Sequence, residues 1–401
     1  MLTRDGRLLF ITRSLRLFAY GALAVILVVY LTSLGLSASQ TGLLLTLTLV
    51  GDTVVSLYLT TRADRLGRRR MLILGALLMM AAGVAFAGTR TFLVLVVAGT
   101  IGVISPSGNE VGPFLPIEQA ALAQVVPAAA RTTAFAWYTL AGSFATAAGS
   151  LCGGALAHAL HGSASMPLAG YRVVVLLYAA LGAVLALLFT RLSPAAEVAA
   201  PGATATRFGL AHSSDVVLRL SGLFALDSFA GGFVVQSFAA YWFYLRFGVN
   251  PATLGVIFFW ANLLAGVSAL LATRLAARFG LVETMVFTHL PSNILLILVP
   301  LMPTLPLAIL MLLARFSISQ MDVPTRQSYV MAVVRPEERS AAAGITGVAR
   351  TTGAAIAPVF AGWMFARPSL ISVPFFIAGT LKIVYDLLLY RGFVGRRQPR
   401  S

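Results

Sequence analysis

"PIEQAALAQVVPAAAR", residues 116–131, aligns without a gap on "PTRQSYVMAVVRPEER", residues 324–339. Pro116 meets Pro324, Gln119 meets Gln327, Val125–Val126 meet Val333–Val334 and Arg131 meets Arg339, all at an offset of 208. A second pair, "SLGLSASQTG" (33–42) and "RFGVNPATLG" (246–255), follows the same order at an offset of 213. Two ordered matches at nearly one offset point to a duplicated unit, and changed loop lengths account for the difference of five.

The duplicated unit is apolar. The chain has 401 residues, 59% hydrophobic and 10% charged, whereas a soluble domain carries about 25% charge. Apolar segments of spanning length recur from end to end. Helices are expected at 15–36, 41–61, 71–89, 92–115, 133–156, 171–190, 219–245, 252–273, 283–302, 306–328, 338–366 and 371–391. The expected fold class is therefore an all-α polytopic membrane protein, with twelve transmembrane helices in two pseudo-symmetric six-helix bundles. Residues 1–190 form the first bundle and 219–401 the second; the small, polar, Pro-containing stretch 191–218 is the linker. The run from Leu17 to Leu36 is too long for a signal-peptide core and lacks a small-x-small cleavage site, so it is expected to stay as the first span.

The formal net charge is +16. Nucleic acid is not the partner this implies, because the arginines alternate between loops. Arg4, Arg7, Arg13 and Arg16 precede the first span, and Arg62, Arg65, Arg68, Arg69 and Arg70 follow the second. Further groups lie in 191–218, 274–282, 326–340 and the C-terminal tail, while the intervening loops carry one arginine at most. The positive-inside rule then places both termini in the cytoplasm of a cell-membrane protein. The partners expected are a lipid bilayer, a small-molecule substrate and protons, with the chain acting as a monomer. Cys152 is the single cysteine, and the four histidines show no ligand spacing, so neither metal nor cofactor is expected.

"RADRLGRRRML" (62–72) stands between the second and third spans. It resembles the cytoplasmic signature G-x-x-x-D-R-x-G-R-R of the major facilitator superfamily: Asp64, Arg65, Gly67, Arg68 and Arg69 match, and Thr60 replaces the leading glycine. The second-half counterpart "RLAARFG" (274–280) keeps Arg278 and Gly280, and "PEERSAAAGITG" (336–347) is similar to the family's loop into helix 11. The resemblance implies that helices 1, 4, 7 and 10 line a central cavity. It also implies that Asp64 faces the N-terminus of helix 11, latching the cytoplasmic side together with Arg131 and Arg339. A topology signal alone is the other reading of the motif. Gly67 is expected to turn with positive φ.

The stretch "VISPSGNEVGPFLPIEQAAL" (103–122) puts Pro106, Pro113, Pro116, Asn109, Glu110 and Glu118 at the inner end of helix 4. Non-helical, polar backbone is tolerated at depth where it faces protein or water rather than lipid. Its repeat partner carries Arg315, Asp322, Arg326 and Gln327. Opposed charges suggest ion pairs of Glu110 with Arg315 and of Glu118 with Arg326; for the second pair, a wetted helix end is the alternative. Gln119, Gln236 and Asn262 are neutral cavity-lining candidates.

Five further charges within the spans stand out. Asp52 lies 12 residues before Asp64, ~18 Å along a helix, and Arg350 lies 11 residues past Arg339, ~16 Å along. Their matched depths suggest a pair, either structural or a proton switch. Asp227 in helix 7 is a candidate proton or cation site. Lys382 and Asp386 are four apart and are expected to pair within helix 12.

No G-x-x-x-x-G-K-[ST] loop is present, which argues against ATP as the drive. The function expected is secondary transport by alternating access: proton-coupled efflux, by antiport, of a small toxic or amphiphilic compound. Metalloid efflux, proton-coupled metabolite uptake and a non-transporting receptor or scaffold are the alternatives. No catalytic set stands out, so an enzyme is not expected.

Overall fold

The computed structural model describes residues 3–108, 112–127, 131–160, 168–197, 213–335 and 338–393. Among these the regular structure is helical. The α-helices are α1 (Arg4–Ser33), α2 (Ala38–Leu66), α3 (Arg68–Gly88), α4 (Phe92–Ile101), α5 (Phe114–Val125), α6 (Arg131–Ala159), α7 (Ala169–Phe189), α8 (Ser214–Gly232), α9 (Gln236–Phe247), α10 (Pro251–Phe279), α11 (Leu281–Leu298), α12 (Leu305–Phe316), α13 (Asp322–Val333), α14 (Arg339–Phe365) and α15 (Val373–Phe393). Among the described residues, nine helical stretches are long and apolar enough to cross a membrane, and α4 and α12 are shorter apolar helices. Large apolar side chains such as Leu93 and Leu187 are 69% and 68% exposed. Water would penalise that surface and lipid would not.

By contact the chain forms two compact units. The first is Met1–Ala203 with Val235–Asn262, and the second is Thr204–Val234 with Leu263–Ser401. Thus α9 and the start of α10 count with the first unit.

Local chemistry sets several helix ends. Thr3 caps α1 by accepting from the Gly6 N–H. Ser37 and Gln40 form a capping box at the start of α2. Between α2 and α3 the chain reverses at Gly67, with φ +102°, a conformation that L side chains resist. Gly21 and Gly149 let α1 and α6 meet backbone to backbone, and Gly353 does the same for α14 on α8.

Two expectations are corrected. Helix 1 begins at Arg4, not residue 15, so Arg13 and Arg16 are buried helical residues rather than part of a charged tail. Helices 4, 7 and 10, drawn as single spans over 92–115, 219–245 and 306–328, are each broken: α4 ends at Ile101 and α5 begins at Phe114, 233–235 separates α8 from α9, and 317–321 separates α12 from α13. The physical reason is clearest in the first break. Pro106 and Pro113 cannot donate to a helical ladder, so carbonyls there must find acceptor roles elsewhere. The Tyr178 hydroxyl donates to the Val103 carbonyl. Ser237 donates to the Pro106 carbonyl through its N–H at 3.1 Å and its hydroxyl at 2.6 Å. The irregular backbone of 102–108 is thus held by α7 and α9, not left to lipid.

Candidate functional site

In the first unit, Glu118 of α5 is fully buried. Arg16 of α1 grips it with both terminal nitrogens, each 2.7 Å from a carboxylate oxygen. The Thr12 hydroxyl donates at 3.1 Å, and the Tyr138 hydroxyl of α6 donates to Oε2. Arg13 lies over the Tyr138 ring at 4.4 Å, and Arg16 over Phe114 at 4.5 Å. This corrects both readings of Glu118, the pair with Arg326 and the wetted helix end: the side chain is buried, and the bidentate guanidinium of Arg16, from its own unit, satisfies it. The neighbouring Gln119 is exposed.

Three neutral groups meet in the same unit. The Asn262 amide donates to Gln236 Oε1 at 3.1 Å and to the Ser150 hydroxyl at 3.3 Å, and Gln236 Nε2 donates to Ser150 at 3.4 Å. Asp52 is buried on α2, with the Gly112 N–H at its carboxylate. Its Oδ1 has no hydrogen-bond partner among the described residues. Asn109 and Glu110 lie outside the described residues, and so does the expected Glu110–Arg315 pair.

The motif loop is tied to the segment after α7. Glu197 accepts from the Arg68 N–H at 2.7 Å and the Arg69 N–H at 3.0 Å, and the Arg68 side chain donates to the Ala196 carbonyl at 3.2 Å. A carboxylate therefore caps the N-terminus of α3, where exposed N–H groups and the helix dipole favour it. Arg65 is exposed, and the side chain of Asp64 lies outside the described residues. Arg131 and Arg339, equivalent in the repeat, each donate Nε to a main-chain carbonyl, of Val126 at 3.3 Å and Met331 at 3.1 Å.

The second unit holds the larger buried polar cluster. Asp227 of α8 sits between two cations, with Lys382 Nζ of α15 2.5 Å from Oδ1 and Arg326 of α13 3.0 Å from Oδ2. Arg326 also reaches Asp322 at 3.3 Å. Asp386 of α15 contacts His289 Nδ1 of α11 at 2.8 Å and accepts from the Asn293 amide at 2.9 Å. The other ring nitrogen, Nε2, is 3.8 Å from Asp227 Oδ1. One imidazole thus stands between two buried carboxylates. Arg315 and Arg350 lie in the electrostatic field of Asp227 and Asp322. Gln327, the residue after Arg326, is exposed.

Two more expectations are corrected here. Lys382 and Asp386 do not pair with each other; they face different partners on two other helices, Asp227 at 2.5 Å from Lys382 and His289 at 2.8 Å from Asp386. Arg326 is buried and held by Asp227 and Asp322, both of its own unit. Sequence reasoning missed His289, Asn293, Glu197 and Arg16. The His–Asn spacing of four inside an apolar helix was a usable signal, since an ionisable group there needs a partner.

Comparison with known proteins agrees with this architecture. The model of the Major Facilitator Superfamily matches residues 9–319 and 222–401. The uncharacterized membrane protein YJR124C of Saccharomyces cerevisiae is 31% identical over 425 residues, covering 98% of this chain and 95% of the relative. The nucleoside transporter NupG superposes with a TM-score of 0.76 at 14% identity, over 98% of this chain and 100% of that one. The xylose transporter XylE from E. coli, in a partially occluded inward-open conformation, gives 0.73 at 16% identity over 100% of both chains. A bacterial homologue of the human lysosomal transporter Spinster gives 0.76 at 17% identity, over 99% and 98%. At these identities the structures speak for the fold, and the family match speaks for descent. With its repeated halves, broken helices and motif loop, the chain belongs to the Major Facilitator Superfamily.

Proposed function

We propose that the protein couples the movement of a small solute to protons, and that the coupling groups are Asp227, His289 and Asp386 in the second unit. Transport rather than catalysis follows from family membership. The observation that supports proton coupling is the imidazole of His289 set between two buried carboxylates, 2.8 Å from Asp386 and 3.8 Å from Asp227.

The groups around that imidazole come from four helices. Asp227 is on α8, His289 and Asn293 on α11, Asp322 and Arg326 on α13, and Lys382, Tyr385 and Asp386 on α15. A proton on His289 or on either aspartate changes how Lys382 and Arg326 are shared. An ion pair in low dielectric makes that change costly on one side and favourable on the other, so protonation biases conformation. Histidine suits the task because its ordinary titration lies near physiological pH.

Alternating access then gives a direct test. Proteoliposomes carrying a lumenal pH indicator are challenged with carboxylates, phosphate, amines and neutral analogues. A solute-dependent lumenal pH change, lost in Asp227→Asn, is expected. Solute flux with no accompanying pH change in the unaltered protein contradicts the coupling.

A further inference from the structure

We propose that Arg315 and Arg350 hold the transported solute, and that this solute is a small oxyanion, an organic carboxylate or a phosphate. The inference deepens the transport reading above and rests on it for the word "transported".

Arg315 ends α12 and Arg350 stands in the middle of α14, both half-buried in the second unit. Among the described residues neither guanidinium donates a hydrogen bond, and the Nε of each is buried with no partner. Their charged surroundings overlap: Arg350 faces the cation Arg326 most strongly, and both arginines lie in the field of Asp227 and Asp322. Those carboxylates are already engaged, Asp227 by Lys382 and Arg326, and Asp322 by Arg326. Among the described residues of this cluster, four permanent cations therefore serve two carboxylates, and two of the four are left over. Including Asp386 leaves one positive charge in excess with His289 neutral.

Uncompensated charge inside a membrane protein is expensive, and such residues face a partner or a polar space. A guanidinium presents five donors in a planar fork. That fork matches a carboxylate or phosphate two bonds at a time. A neutral solute leaves the charge uncompensated, and a cation is repelled. There is also room beside Arg350. On the same helix, a Cβ placed at Gly347 would meet no atom within 4 Å. Gly347 is one turn from Arg350, so the open face and the free fork lie on one side of α14.

The arrangement sets the sign of coupling. Protonating Asp227, Asp322, Asp386 or His289 makes the neighbourhood of both arginines more positive. Anion affinity then rises, and by linkage the anion raises proton affinity equally. Cooperative binding is what proton–anion cotransport needs; exchange needs the two to compete.

The test uses the full chain in phosphatidylcholine nanodiscs, a lipid without net charge that cannot itself supply the anion. Benzoate, succinate and inorganic phosphate are the anionic probes, and benzamide and benzylamine the neutral and cationic controls. Thermal unfolding and equilibrium binding are measured for the parent chain, Arg315→Gln, Arg350→Gln and the two Arg→Lys variants. At least one anion should bind, more tightly at acidic than at alkaline pH. Each Gln variant should weaken it by at least ~10-fold, as expected for losing a charge-assisted fork, with partial rescue by Lys. The responding probe separates carboxylate from phosphate. The proposal is overturned if none of the three anions binds, if a control binds equally well, or if both Gln variants bind as the parent does. A Gln variant that fails to fold leaves the Lys variant and the probe selectivity to decide. Proton uptake is read on the same samples. Anion selectivity without proton uptake defeats the coupling and keeps the site; proton uptake without anion selectivity does the reverse.

Discussion

Lys382 Nζ stands 2.5 Å from Asp227 Oδ1, joining α15 to α8 across 155 residues of sequence. The pair is buried, and Arg326 occupies the other oxygen of the same carboxylate. A carboxylate flanked by two cations is a centre whose charge state controls both neighbours.

Asp227→Asn alone is expected to destabilise the second unit by about 3–5 kcal/mol, because Lys382 and Arg326 lose the buried carboxylate they share. Lys382→Met should cost less, because Arg326 still holds Asp227. The double variant should recover part of the loss. A double-mutant cycle on thermal unfolding in detergent measures this, and additivity of the two effects would speak against a working pair.

The Glu118 cluster is expected to be structural. Glu118→Gln should lower the unfolding midpoint, and Arg16→Lys should lower it too, since lysine cannot reproduce the two 2.7 Å contacts. Proton-dependent signals should survive in both. Loss of proton response in Glu118→Gln with an unchanged midpoint would move the coupling site to the first unit.

His289→Gln keeps a hydrogen-bonding side chain but removes the titratable ring. The pH dependence of transport should flatten, because the glutamine cannot take up a proton between the two carboxylates. Asp386→Asn should reproduce part of the effect through the 2.8 Å contact. A pH profile unaltered by either substitution would exclude the imidazole from coupling.

Glu197 is predicted to order the start of α3. Glu197→Gln should weaken the cap by a few tenths to about 1 kcal/mol, the usual range for a charge at a helix N-terminus. Hydrogen exchange at residues 68–71 should rise. Gly67→Ala should do the same through its φ of +102°. Exchange rates equal to those of the parent chain would show that the loop is held by something else.

Much of the fold was legible because apolar runs and arginine-bearing loops follow from the membrane itself. The repeat pairing Pro116 with Pro324 marked equivalent helices before any contact was known. The break after α4 was announced by Pro106 and Pro113, yet how its carbonyls are satisfied depends on Tyr178 and Ser237, far away in sequence. Partner choice was the illegible part. Lys382 and Asp386 share a helix face at a spacing of four, but local proximity lost to Asp227 and His289 on other helices. Arg16 looked like a tail charge because loop arginines and buried arginines are identical in composition; only the position of Glu118 separates them.

The most direct measurement is charge movement on solid-supported membranes after a pH jump, with no solute present. The account predicts a transient current in the unaltered protein, from proton binding at the Asp227–His289–Asp386 cluster. In Asp227→Asn combined with Asp386→Asn it should disappear while the protein stays folded in the membrane. A transient of undiminished size in that folded double variant would contradict the account.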